Sequence, residues 1–387
     1  MQREKTGHYE VWTLGGEEIP AFIPVPLPPV PPLVIEGRLR QTLEAATLAL
    51  GRLDGVATLL PDPDLFIYAY VRKEAVLSSQ IEGTQSSLSD LLAFEIGDAP
   101  GTPISDVVEV SNYVAALEHG LERLRGDFPL SNRLIREIHR MLLSSGRGSQ
   151  LHPGEFRTSQ NWIGGRRPGN AVYVPPPPHA VADCMGELEQ FLHTRDDGLP
   201  TLVRAGLAHV QFETIHPFLD GNGRTGRLLV TFLLCEAGVL REPLLYLSLF
   251  FKQHRSDYYE LLNAVRRTGD WEDWLDFFLE GVQETAEGAF ATSQRLLQLF
   301  AADRERIQQT GRRAGSALRV HERLTSRPLQ SISSVAESTA LTFPTISAAM
   351  NLLVSLGIAR EITGRRSDRL FAYNDYLSIL SEGTEPL

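Results

Sequence analysis

The stretch TLVRAGLAHVQFETIHPFLDGNGRTGRLLVTFLLCEAGVL, residues 201–240, sets two apolar segments around a polar knot, HPFLDGNGRTGR at 216–227. Both flanks read as buried helix, so the knot lies deep, and polar groups buried there need partners or a ligand. Glycines at 221 and 223 permit positive φ and close backbone approach. A turn at 218–223 opening a helix near Gly223 would expose backbone N–H groups as a nest for anionic oxygens. Asn222 can donate its amide to a phosphate. Arg224 and Arg227, three apart on the first turn, are expected to point at the same anion. Asp220 would repel a phosphate unless a cation sits between them, and Mg²⁺ is the natural choice. His216, closing the preceding helix, stands where an imidazole takes a proton from an attacking hydroxyl. The set describes a phosphoryl or nucleotidyl transfer site.

Outward from the knot, helical spacing dominates. GRLRQTLEAATLALGRLDGV, LFIYAYVRKEAVLSSQIEG, DVVEVSNYVAALEHGLERL and SNRLIREIHRMLLSS precede it, and the helical pattern continues to about residue 307. Residues 152–178 interrupt it with glycine and proline, and AVYV alternates like a short strand, which predicts a hairpin or flap. The proline-dense segment 19–34 cannot be helical and should lie extended against something larger. Residues 311–387 change character: helix, turn, helix, then a two-stranded turn around TGRRSDR, the pattern of a winged helix-turn-helix. The expected fold is mainly α: an all-helical core with a short β-hairpin flap, plus that C-terminal domain. The expected divisions are 1–105, 106–300 and 311–387.

The 387 residues carry a net charge of −11, which argues against a whole molecule built for a phosphate backbone. Residues 311–387 hold nine arginines against seven acids, a weak balance that leaves DNA and protein contact both open as their role. Two cysteines, Cys184 and Cys235, cannot build a disulfide framework or a zinc cluster. No run of eighteen apolar residues and no basic-then-apolar leader is present, so no membrane partner is expected and the cytoplasm is the expected compartment.

HPFLDGNGRTGR resembles the signature of the Fic family, His-Pro-Phe-x-(Asp/Glu)-Gly-Asn-Gly-Arg-x-x-Arg, at every position. RTSQNWIGG at 157–165 resembles the family's flap, and FIPVPLPP the N-terminal segment of its bacterial multidomain members, among which a terminal winged helix also occurs. The resemblance implies a protein adenylyltransferase that moves AMP from ATP onto a hydroxyl of a target protein or of itself and releases pyrophosphate. His216 is then the general base for a Ser, Thr or Tyr hydroxyl, and Asp220 holds Mg²⁺ between the α- and β-phosphates. Gly221, Asn222 and Gly223 cradle the phosphates, Arg224 supports loop and anion, and Arg227 grips the γ-phosphate. Thr225 and Gly226 belong to the same ATP-binding run. Phe218 plugs the core beneath the loop, and the flap aligns the target by strand-like pairing. Tyr259 resembles a nucleotide-contacting position and Tyr258 stands beside it, although two tyrosines in an interhelical seam fit the same spacing.

SSQIEG, 78–83, resembles the family's inhibitory helix, (Ser/Thr)-x-x-x-Glu-(Gly/Asn). Ser78 and Glu82 are one turn apart, and the resemblance implies that Glu82 pairs with Arg227 in the space a γ-phosphate needs. ATP would then bind with its α-phosphate misplaced for in-line attack. Two rival readings keep the same residues. One is a Fic-fold enzyme that transfers a different phosphate-containing group or removes AMP. The other is a nucleotide-sensing, DNA-binding regulator working through 311–387. A homodimer is compatible with all of them.

Overall fold

The computed structural model describes residue 3 and residues 6–14, 16–57, 63–95, 104–194, 197–364 and 369–384. The chain opens with an antiparallel hairpin, β1 (Gly7–Leu14) and β2 (Glu17–Pro24), with Gly7 opposite Pro24 and Leu14 opposite Glu17. Helices α1 (Gly37–Ala57), α2 (Pro63–Ile81), α3 (Leu88–Glu95), α4 (Ile104–Arg125) and α5 (Asn132–Leu142) follow. After the 152–178 interruption come α6 (Pro178–His193), α7 (Thr201–Ile215), α8 (Asn222–Glu236), α9 (Ser248–Gln253), α10 (Arg255–Thr268) and the long α11 (Trp271–Gln308). The C-terminal part runs α12 (Ala314–Ser326), β3 (Leu329–Ser331), α13 (Ile332–Ser338), α14 (Phe343–Ser355), β4 (Arg360–Glu361), β5 (Leu370–Ala372) and α15 (Asn374–Ser381). Its three strands pair in the order β3-β5-β4, antiparallel throughout. The tip of the TGRRSDR turn, residues 365–368, lies outside the described residues.

The fold is mainly helical, as the apolar spacing predicts. Helices α7 and α8 are buried on almost every face, which explains why both read as continuous apolar runs rather than as amphipathic stripes. Trp274 of α11 is fully buried and donates its indole N–H to the Gly206 carbonyl on α7 at 2.9 Å. Gly206 permits that approach, since a Cβ there would meet Leu275 and Phe278 at 2.9 and 3.0 Å.

Two details differ from the reading of the sequence. AVYV does not form a strand: within it only Tyr173 forms an antiparallel bridge, with Ile163. Pro168 before it and Pro175–Pro178 after it remove the N–H donors a longer ladder would need. The flap is therefore a hairpin-like loop pinned by one bridge. The regular hairpin is instead β1–β2, whose second strand is the start of the proline-dense segment. It braces the flap, because the Phe22 N–H donates to the Val174 carbonyl at 3.0 Å. Glu17 also accepts from the Gly169 N–H at 2.8 Å and pairs with Arg167 at 2.5 Å.

The residues after α15 return to α2. Lys73 donates to the Glu382 carbonyl at 2.7 Å, and Gln80 donates to the Thr384 carbonyl at 2.8 Å. Arg295 on α11 forks onto the Glu382 carboxylate with two contacts of 2.7 Å. Among the described residues no helix is long and apolar enough to cross a membrane. Replacing Trp274 by Ala should destabilise the fold by about 3–5 kcal/mol, through the cavity left behind and the loss of the indole hydrogen bond. A lower denaturant midpoint with native-like helix content before the transition is the expected record.

Candidate active site

Helix α7 ends at His216, whose backbone is left-handed (φ 50°, ψ 59°), and its N–H closes the last turn on the Phe212 carbonyl. That reversal sends the chain into the loop 217–221. Gly221, also left-handed at φ 75°, starts α8 with no side chain capping it. Helix α8 thus begins with first-turn N–H groups that lack a side-chain acceptor, the electropositive mouth the glycine spacing implies.

The loop is held from beneath. Asn222 clamps Phe218: its Oδ1 accepts the Phe218 N–H and its Nδ2 donates to the Phe218 carbonyl, both at 2.8 Å. The Asn222 amide read as a phosphate donor is therefore committed to the loop, and only its backbone N–H faces outward chemistry. Phe218 is fully buried, as the plug reading expects, and stacks on His139 of α5 with ring centroids 3.7 Å apart. His139 Nε2 donates to the Asp220 carbonyl at 2.9 Å, and its Nδ1 accepts the Gly154 N–H at 2.8 Å. Burial pushes that imidazole down to about 4, so this clamp stays neutral at physiological pH. The flap ties in through Arg157, which donates to the His216 carbonyl at 2.9 Å, and Asn161, which donates to the Phe218 carbonyl at 3.1 Å.

The two arginines diverge. Arg224 is fully buried, 3.2 Å from Glu109 Oε2 of α4 and 3.8 Å from Asp220 Oδ1, and its Nε and second terminal nitrogen lack hydrogen-bond partners among the described residues. Arg227 turns to α2. It donates through Nε to Ser78 Oγ at 2.8 Å, and through Nη2 to the Ser78 carbonyl at 2.9 Å and Glu82 Oε1 at 3.0 Å. Glu82 Oε1 also lies 2.3 Å from where a Gly223 Cβ would stand, so the carboxylate rests on the bare backbone of the α8 mouth. Gly83, at φ 99°, ends the segment. Among the described residues the two arginines hydrogen-bond different carboxylates, Glu109 of α4 and Glu82 just after α2, rather than one shared anion.

Thr225 and Gly226 face the protein, not the mouth. Thr225 Oγ1 donates to the Gly221 carbonyl at 2.9 Å. The Gly226 carbonyl pairs with His209 Nδ1 at 3.0 Å, and a Cβ at 226 would collide with Glu213 Oε1 at 2.5 Å. Tyr258 is likewise a core residue, its hydroxyl 2.9 Å from His209 Nε2 and its ring stacked on Phe251. It offers no slot for a base. Tyr259, about 100° further round the helix, is 41% exposed at the rim, and only it keeps a surface for a ligand.

Three acidic or basic residues escaped the reading of the sequence: Glu109, His139 and Glu213. Each sits at a core-spaced position of an apolar helix face, as Glu109 does among Val107, Val110 and Tyr113. A charge on an apolar stripe is the signal that could have found them. Burial pushes the His216 imidazole down to about 3, helped by Arg157 and Arg266. It is therefore neutral and able to accept a proton at any physiological pH.

Residues 40–122 match the Fic/DOC family N-terminal region, and residues 129–234 match the Fic/DOC family itself. The chain carries a Fic/DOC family N-terminal region and a Fic/DOC family domain. A relative named protein adenylyltransferase Fic, from Aedes aegypti, is 34% identical over 190 residues, covering 48% of this chain and 35% of the relative. One of the same name from Culex quinquefasciatus is 33% identical over 234 residues, 57% of this chain and 43% of the relative. The chain thus spans less than half the length of these curated relatives. A solved Fic family protein from Desulfovibrio desulfuricans G20 superposes with a TM-score of 0.59 at 21% identity, over 89% of this chain and 98% of that one. At that identity the likeness is one of Fic fold.

Burial pushes the Glu82 carboxyl up, but Arg227 and then Arg224 pull harder, and the net position is below the ordinary carboxylate range. A depressed native pKa means stability present above the unfolded value and lost as pH falls through the native one. Glu82→Gln should therefore lower the melting temperature most near neutral pH. The gap from the unaltered chain should begin to close as pH drops below about 4.3, followed by circular dichroism.

Proposed function

We propose that this chain is a protein adenylyltransferase, moving AMP from ATP to a hydroxyl side chain of a target protein or of itself, and that Glu82 restrains it. The observation that carries the reading is the Glu82–Arg227 pair at 3.0 Å, set over Gly223 at an uncapped helix mouth beside His216. An anion already occupies the place where a nucleotide's phosphates would find backbone N–H groups and a guanidinium. The shared name of the curated relatives supports the same chemistry.

In this reaction the neutral His216 takes the proton of a Ser, Thr or Tyr hydroxyl. The hydroxyl oxygen forms a bond to the α-phosphorus as the bond to the β-phosphate oxygen breaks. Pyrophosphate leaves with that electron pair, and the proton stays on the imidazole. Backbone N–H groups of Asn222 and Gly223 hold the phosphates, the Gly221 N–H being donated to Asp220 Oδ1 at 2.7 Å, and Arg227 takes the γ-phosphate once Glu82 withdraws. Arg224 stiffens the loop from beneath through Glu109. Tyr259 offers a ring to the adenine at the rim.

Among the described residues no group of three or more side chains could hold a metal alone. Asp220 is partly exposed, accepts the Gly221 N–H at 2.7 Å and lies 3.8 Å from Arg224, and it is the carboxylate that would hold Mg²⁺. When bound, that cation would neutralise phosphate charge.

The helix, strand, two helices and strand pair of the C-terminal part support reading 311–387 as a winged helix-turn-helix, after a Fic-associated region at 1–105 and a core at 106–300. Salt-sensitive retention on duplex DNA would assign it a nucleic-acid partner. Retention on protein alone would assign the contact role.

Glu82→Gly should raise label transfer from α-labelled ATP, to the chain itself or to protein in a lysate, by roughly ten-fold or more, the scale on which lost positioning costs rate. His216→Ala should abolish it in either background while nucleotide binding persists. A mass gain of phosphate in place of AMP would overturn the adenylyl reading. Unchanged transfer by Glu82→Gly would remove the restraint.

A further inference from the structure

Glu213 stands one helical turn before His216 on α7, buried, with Oε2 4.0 Å from His216 Nδ1. Two atoms at this contact are buried and have no hydrogen-bond partner among the described residues: His216 Nδ1 and Glu213 Oε1. Both are groups that native interiors normally satisfy.

The neighbouring cations do not claim this carboxylate. Arg266 of α10 approaches from one side, yet its guanidinium donates to the Glu213 carbonyl at 3.1 Å, to Thr214 Oγ1 at 3.1 Å and to Asn263 at 3.0 Å. Arg227 of α8 is spent on Ser78 and Glu82. Arg157 of the flap binds backbone carbonyls of His216, Pro176 and Ser159. Glu82, just after α2, is the other anion near the pair, and its charge opposes that of Glu213. The α8 side is open by sequence, since only a glycine at 226 leaves room for Oε1. A carboxylate is thus held beside the imidazole with no hydrogen bond to Oε1 among the described residues, drawn by the charges of Arg227 and Arg266. The Glu213 backbone carbonyl is the competing acceptor for Nδ1–H.

We propose that Glu213 is the positioning residue of His216: its carboxylate accepts the Nδ1–H, fixing the tautomer that leaves Nε2 bare toward the attacking hydroxyl. A side-chain adjustment of about 1 Å brings the 4.0 Å contact within hydrogen-bond range. During transfer the hydroxyl proton moves to Nε2, and Nδ1 keeps its own proton. Glu213 stays ionised and stabilises the imidazolium. No proton passes to it. The arrangement follows the logic by which a buried acid orients a catalytic histidine on unrelated folds. Burial pushes the Glu213 carboxyl up to about 7, against the pull of Arg227, so its charge is sensitive near neutral pH.

This inference rests on His216 acting as the base, and its test separates the two claims. The imidazole nitrogens of the full chain, labelled at histidine and assigned by loss of signal in His216→Ala, report tautomer and titration without any turnover. The Nδ1–H form is expected in the unaltered chain. Glu213→Gln should lower the imidazolium pKa by about one unit, and Glu213→Asp should restore part of it. In the Glu82→Gly background, Glu213→Gln should cut kcat roughly ten- to hundred-fold while KM for ATP stays within about two-fold. It should also flatten the loss of rate below neutral pH. An imidazole unchanged in tautomer and titration overturns the proposal, as does a kcat within two-fold of the parent's. Should the Glu82→Gly parent transfer no AMP at all, the adenylyl reading falls, and the nitrogen titration alone decides Glu213.

Discussion

A guanidinium buried on α8 needs an anion, and everything around Arg227 is arranged to supply one. Taken out of water, it would be strongly destabilising alone, so the fold must deliver a carboxylate or a ligand must deliver a phosphate. Helix α2 delivers the Ser78 hydroxyl and carbonyl, and the turn that follows it delivers Glu82. The contact joins segments 145 residues apart, so it fixes how the N-terminal helices sit on the α7–α8 pair. Neighbouring charges obey the same need. Arg224 meets Glu109 from α4, and Glu213 is lodged between α7 and α8.

These charges divide into two groups with different work. Asn222, Thr225, His139 and His209 make the loop stiff by satisfying backbone atoms at 2.8 to 3.0 Å. They face inward and meet protein. Gly223, Arg227, His216 and Asp220 lie around the helix mouth. Stiffness from the first group is what gives the second its fixed aim, which a transfer reaction governed by positioning requires.

Much of this was legible beforehand. Apolar spacing located most of the helices, and a polar knot between two all-apolar runs marked the site. Periodicity could not tell which loop side chains turn inward, because that depends on where α7 lies. Thr225, Gly226 and Tyr258 were read as ligand-facing for this reason, and each is satisfied by a neighbouring helix. The meeting of Glu82 with Arg227 follows from no local pattern; only the family resemblance pointed to it. HYEVWTL at 8–14 has the β-branched and aromatic residues of a strand, and it pairs with residues 17–23, which run into the proline-dense segment. Glu213 was overlooked because a lone acid in a buried run reads as noise until its neighbours are seen.

The return of the C-terminal segment to α2 has a mechanical side. Lys73 and Gln80 hang on carbonyls of Glu382 and Thr384, and Ser78 lies on the stretch of helix between those two anchor points. Fraying at the far end of the chain would therefore not stay local. Two donors would have to find water, and the turn that presents Ser78 to Arg227 would lose its outer splint. The last described residues brace the helix that leads to Glu82, so slack there is slack at the mouth of α8.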